Sequence, residues 1–216
     1  MSLEKILSQV EIAKEQAGRQ KDIVNVIAVS KVQPIPRIKK VLDQGHRVFG
    51  ENRVQESLDK WPKFISEYDK IELHLVGALQ TNKVKEAMKL FNVIHSIDRE
   101  KLILKISNES QKIGFCPDLF IQVNTGNENQ KAGVKIDEVD YILELAKVKH
   151  SLPIVGLMCL PPIHDSPLNH FKILYEIAKK HELPRVSMGM SNDFVDAIKL
   201  GATDVRIGSA IFGQRG

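Results

Sequence analysis

In this chain of 216 residues, Lys31 immediately follows NVIAVS (25–30), a short run rich in apolar and β-branched residues. An amine at the mouth of such a run is partly desolvated, which favours its neutral form and lets it condense with a carbonyl compound to an imine. The competing reading is a rim lysine whose stem packs while its ammonium reaches water. Two later segments bear on that choice. SMGMSNDF (187–194) places Ser191 at the start of a predicted helix, where a serine N-cap and the amides after it suit an anion. RIGSAIFG (206–213) joins Gly208, which permits close backbone approach, to the hydroxyl of Ser209. Taken alone, each segment reads first as a turn with an ordinary cap; taken with Lys31, they describe a site for a phosphorylated carbonyl compound. Arg206 lies within the otherwise apolar TDVRIG, where a charge requires a partner. It either faces a heteroaromatic nitrogen or pairs with a carboxylate on a neighbouring element.

These residues become one site only if the chain brings them to one end of a sheet. Residues 3–18 carry Leu3, Ile6, Leu7, Val10, Ala13 and Ala17 at helical spacing, which predicts an amphipathic first helix. Eight apolar runs follow, at 25–30, 46–50, 70–77, 91–97, 118–124, 152–160, 184–189 and 203–211, with helical patterns between consecutive pairs. Mostly apolar strands suit a parallel sheet covered on both faces. Eight alternating units predict a single-domain (β/α)8 TIM barrel over 1–216 with an extra N-terminal helix; the alternative is an open doubly wound sheet. The absence of a G-x-G-x-x-G after the first strand argues against the dinucleotide-binding form of that alternative. In a barrel, functional groups lie at the C-terminal ends of strands, and the loops after strands seven and eight frequently bind phosphate.

Composition narrows the function classes. No apolar run approaches the roughly 20 residues of a membrane span, and the charged N-terminus lacks a signal core, so a cytoplasmic protein is expected. Cys116 and Cys159 are too few for a disulfide framework or zinc site, and no metal is expected. The net charge of +4, with only Arg37, Lys39 and Lys40 as a basic cluster, gives no nucleic-acid signature.

The segments AVSK (28–31), FGENRVQE (49–56), HLVGALQTNK (74–83), QVNTGNENQKAG (122–133), GLMCLPP (156–162), SMGMSNDF (187–194) and VRIGSAIFG (205–213) carry a resemblance over nearly the whole chain. It resembles the pyridoxal phosphate homeostasis proteins, single-domain relatives of the N-terminal barrel of alanine racemase. The resemblance implies pyridoxal 5′-phosphate (PLP) held as an imine on Lys31, its phosphate on Ser191, Gly208 and Ser209 with help from the Met190 backbone, and Arg206 at the pyridine nitrogen. It extends the cofactor-contacting set to Asn52, Met158 and Ser187. It further implies a non-catalytic role in PLP (vitamin B6) and amino-acid homeostasis, apo-enzymes as recipients, and a monomer or weak dimer. Arginine opposite the ring nitrogen weakens the ring as an electron sink. Tyr68, Tyr141 and Tyr175 lie away from the expected mouth, and in a single-domain barrel over 1–216 the second domain that supplies the racemase's other base is not expected. The rival expectations are a narrow-scope PLP-dependent racemase and a Schiff-base aldolase acting on a sugar phosphate.

Overall fold

Helix α1 (Leu3–Gln16) begins at Ser2, whose hydroxyl accepts from the Lys5 N–H at 3.4 Å. The computed structural model describes residues 2–128 and 130–213; the remaining positions, which the 1–216 span and the 122–133 motif include, lie outside it. The α1 residues Leu3, Ile6, Val10 and Ala13 recur at three- and four-residue intervals, so one stripe of the helix is buried.

The strands are β1 (Asn25–Val29), β2 (Val48–Glu51), β3 (Glu72–Leu75), β4 (Val93–Ile97), β5 (Asp118–Asn124), β6 (Val134–Lys135), β7 (Ile154–Cys159), β8 (Arg185–Ser187) and β9 (Asp204–Ile207). All pairings are parallel, in the order β4-β3-β2-β1-β9-β8-β7-β5. The β4–β5 pairing, with Val93 opposite Asp118 and Ile94 opposite Leu119, closes this ribbon into an eight-stranded barrel. The two-residue β6, which the sequence pattern did not predict, adds to the end of β5. Helices α2 (Ile35–Asp43), α3 (Val54–Glu67), α4 (Val84–Leu90), α5 (Glu100–Ile113), α6 (Val139–Leu143), α7 (Pro167–Lys180), α8 (Phe194–Lys199) and α9 (Ser209–Phe212) complete the described α-helices, α6 continuing as a π-helical segment, Glu144–Lys149. The open doubly wound sheet is thereby excluded.

Alternation along each strand sends one set of side chains outward to the helices and the other into the barrel. The outer layer is apolar: Phe49, Leu73, Ile94, Leu119, Leu157 and Val205 pack with helical residues such as Trp61, Leu102 and Phe171. The interior holds a much smaller apolar plug of Val93, Phe120 and Met158. Much of the rest is polar, with His74, His95, Ser187, Asp204 and Arg206 all buried.

Two boundaries differ from expectation. The predicted strand 203–211 stops at Ile207, because the Ile211 and Phe212 amides turn back to the Gly208 carbonyl, at 3.0 and 2.9 Å, and make α9. The predicted helix at 192–200 begins only at Phe194. Residues 190–193 form a turn in which the Met190 N–H donates to the Asp193 carboxylate at 2.6 Å, so Asp193, and not Ser191, stands at the cap position.

Candidate functional site

A cavity of about 360 Å³ opens at the C-terminal ends of the strands. Lys31, Asn52, Met190, Ser191, Arg206, Gly208 and Ser209 all line it, together with Val29, Val76 and Leu160. Met158 and Ser187 do not. Met158 is fully buried in the plug beneath the cavity, and Ser187 stands behind Arg206. A larger depression of about 880 Å³ lies at the N-terminal ends of β8 and β9, between residues such as Arg19, Tyr175, Lys179 and Gly201. Volume does not make it the better site: the sequence segments that could bind an anion or form an imine converge on the smaller cavity.

The backbone around Lys31 is held from one side by a charged network. Val32 adopts φ +56°, a left-handed conformation that is costly for a β-branched residue. Its N–H donates to Glu56 Oε1 at 2.7 Å. Lys60 Nζ donates to that same Glu56 oxygen at 2.7 Å, to the Ser30 carbonyl at 3.1 Å and to Glu51 Oε1 at 2.9 Å. Glu51 Oε1 also accepts from Ser30 Oγ at 2.7 Å and Trp61 Nε1 at 3.0 Å. Both neighbours of Lys31 are therefore tied to α3. Partial burial opposes ionisation of Glu56, but the bonds from Lys60 and the Val32 amide, with the charges of Lys60 and Arg53, hold its carboxyl below the usual range.

Across the cavity, Ser209 Oγ lies 3.2 Å from Ser191 Oγ, and the Ala210 N–H points at that same Ser191 oxygen at 3.4 Å. Two hydroxyls and an amide thus converge, as an anion site requires. The Met190 amide does not join them, being engaged by Asp193. Gly189 enters this turn at φ +89°, and a Cβ there would stand 2.5 Å from the Ala197 methyl, so only glycine lets the turn sit on α8. A Cβ on Gly208 would stand 3.3 Å from the Val29 carbonyl, a crowded approach beside the cavity wall.

Arg206 resolves the alternatives left by the sequence in an unexpected way. Among the described residues it pairs directly with no carboxylate; its NH1 donates to Ser187 Oγ at 2.6 Å and its NH2 to the Cys159 carbonyl at 2.8 Å. Burial pulls its pKa down, opposed by the fields of Cys159, Asp193 and Asp204, yet a guanidinium stays protonated. Cys159 is packed: burial pushes its thiol up to about 12.

Beneath Arg206, His95 Nδ1 is 3.0 Å from Ser187 Oγ, His95 Nε2 is 2.9 Å from His74 Nδ1, and His74 Nε2 is 2.7 Å from Glu72 Oε1. Sequence reasoning missed both histidines, although period-two alternation in ELHL and VIHSI puts them on the inward face. No tyrosine lines the cavity, and no cluster of three metal-ligating side chains exists among the described residues. Among those residues, no helix is long and apolar enough to cross a membrane.

The barrel and its C-terminal cavity fall within a defined class: the sequence model described as "Alanine racemase, N-terminal domain" matches residues 1–216. Among curated proteins, the pyridoxal phosphate homeostasis proteins of Vibrio cholerae and Aquifex aeolicus are each 38% identical, over 99% of this chain and 95% and 96% of theirs. The solved structure of PipY from Synechococcus elongatus with PLP bound superposes with a TM-score of 0.79 at 31% identity, covering 94% of this chain and 100% of that one. The chain belongs to the pyridoxal phosphate homeostasis protein family, within the larger class of alanine racemase N-terminal barrels.

Proposed function

We propose that the chain, as one barrel domain, binds PLP and serves as a non-catalytic carrier in PLP homeostasis. The observation that carries this reading is the convergence of Lys31, the Ser191–Ser209 hydroxyl pair and Arg206 on a single cavity. The donor set fits the group: an amine for the aldehyde, hydroxyls and the Ala210 amide for a phosphate, and a fixed cation for the ring nitrogen. The names of the curated relatives and the PLP in PipY support it. Bound PLP supplies a reversibly captured aldehyde and a ring able to accept electrons. What this chain's own residues do is bind and restrain. Lys31 holds the aldehyde as an imine; Ser191, Gly208 and Ser209 hold the phosphate, and Asn52 flanks the ring. Arg206, fixed from behind, disfavours protonation of the ring nitrogen. No tyrosine lining the cavity supplies a second base. Release to apo-enzymes in the cytoplasm, by a monomer or weak dimer, completes the proposal.

The test is borohydride reduction of the PLP-treated protein followed by peptide mass spectrometry. A phosphopyridoxyl adduct on the peptide containing Lys31, lost in Lys31→Ala, is expected. An adduct confined to Lys83 or Lys131 would overturn the site. Cofactor-dependent turnover across an amino-acid panel, abolished by Lys31→Ala, would overturn the carrier role and restore the racemase.

A further inference from the structure

A closed barrel usually fills its interior with branched apolar side chains. Here His74, His95 and Ser187 are fully buried inside it. With Glu72 at one end and Arg206 at the other they make an unbroken file of hydrogen bonds, of 2.7, 2.9, 3.0 and 2.6 Å, that ends at the cavity. Chemistry at the two ends fixes its direction. A guanidinium can only donate, so Ser187 Oγ accepts from Arg206, and the partner that remains for its own hydrogen is His95 Nδ1. An ionised carboxylate can only accept, so His74 Nε2 must carry a hydrogen for Glu72. In a neutral His74, Nδ1 is then the acceptor, and His95 Nε2 the donor between the rings. Reversing the file would require a protonated His74 and would leave the buried serine hydrogen without an acceptor, since Ser187 Oγ would then accept from both Arg206 and His95. Burial above all holds His95 well below the usual histidine range, in keeping with a neutral ring that carries a single hydrogen.

We propose that Glu72, His74, His95 and Ser187 form a one-way relay that fixes the orientation of Arg206, making His95 and Ser187 positioning residues for the cavity they do not touch. The inference rests on the cofactor reading of that cavity. His95 is also stacked on Phe120, with ring centroids 4.3 Å apart and an interplanar angle of 9°. Its aromatic contact and its hydrogen bonding can therefore be separated by substitution. His95→Phe keeps an aromatic ring against Phe120 and deletes the relay. His95→Gln loses the ring but can still accept from Ser187 and donate to His74.

The experiment combines 15N NMR of histidine-labelled protein without cofactor, and PLP titration of each variant followed through the visible imine band. Both rings are expected to carry hydrogen on Nε2 and a bare Nδ1. His95→Phe is expected to weaken PLP binding about tenfold, the equivalent of one lost interaction of ordinary strength, and to displace the band. His95→Gln is expected to restore both toward wild type. Ser187→Ala, which removes one hydroxyl and spares the fold, should match His95→Phe. An Nδ1–H ring in either histidine, wild-type behaviour of His95→Phe or Ser187→Ala, or equal damage from His95→Gln and His95→Phe, would each overturn the relay. A wild-type protein that forms no band with PLP would instead overturn the cofactor reading.

Discussion

Lys60 illustrates how a residue outside the cavity can govern one inside it. Its ammonium neutralises the fully buried Glu51 and grips the Ser30 carbonyl, while Glu56 holds the strained amide of Val32. Removing one partner of a buried pair leaves an uncompensated charge, at a cost of roughly 3–5 kcal/mol. Lys60→Met should show that loss in urea denaturation, and should slow imine formation at Lys31 relative to wild type. Adding Glu51→Gln should recover part of the stability; no recovery would argue against the pairing. That Lys31, Arg206 and the two serines line one cavity was legible in the sequence, because strand ends and Gly–Ser turns announce themselves. Lys60 was not, since a lysine on an amphipathic helix looks like any solvated charge until the fold shows what lies beneath it. Met158 misled for the opposite reason. A strand-end position predicts exposure to the mouth, whereas the side chain turned down into the plug.

At the level of elements, the sheet was readable nearly throughout, because parallel strands buried on both faces produce mostly apolar runs. The short helices were not. Asp193 capturing the Met190 amide and Gly208 starting α9 are three- and four-residue events with no periodicity to detect. Those helices are supported from outside. The buried stripe of α1 packs beside α8 and α9, and Arg19 donates to the Ala202 carbonyl at 3.1 Å just beyond α8. Ile6→Ala, at a fully buried position, should therefore cost about 2–5 kcal/mol in thermal or urea unfolding. It should also weaken PLP binding, which isothermal titration would detect, through the loops that α8 and α9 position. Unchanged affinity in the folded variant would show that the loops hold themselves.

For the whole molecule, a polar barrel interior sets the acid response. His95 and His46 are both held below the ordinary value of 6.5, chiefly by burial. Their unfolded forms take up protons that the folded forms refuse. The stability tied to them is complete above about pH 6.5 and falls as pH drops below it, by up to about 1.4 kcal/mol per pH unit for each ring that stays neutral. Glu56 and Glu72 are held below the carboxylate range, Glu72 foremost by His74, so their contribution is lost only further down, below the ordinary value of 4.5. Urea midpoints measured from pH 7.5 to 4 should thus begin to fall near 6.5, before any carboxylate titrates. His95→Gln should make that first limb shallower, leaving the part due to His46, and leave the second. The same interior has a consequence in time. The hydrogen between His74 and His95 sits inside a closed ring of strands, where water reaches it only when strands part. In D2O its replacement by deuterium should lag behind that of the peripheral amides and keep pace with the slowest backbone sites, so that one imidazole proton becomes a clock for the opening of the barrel.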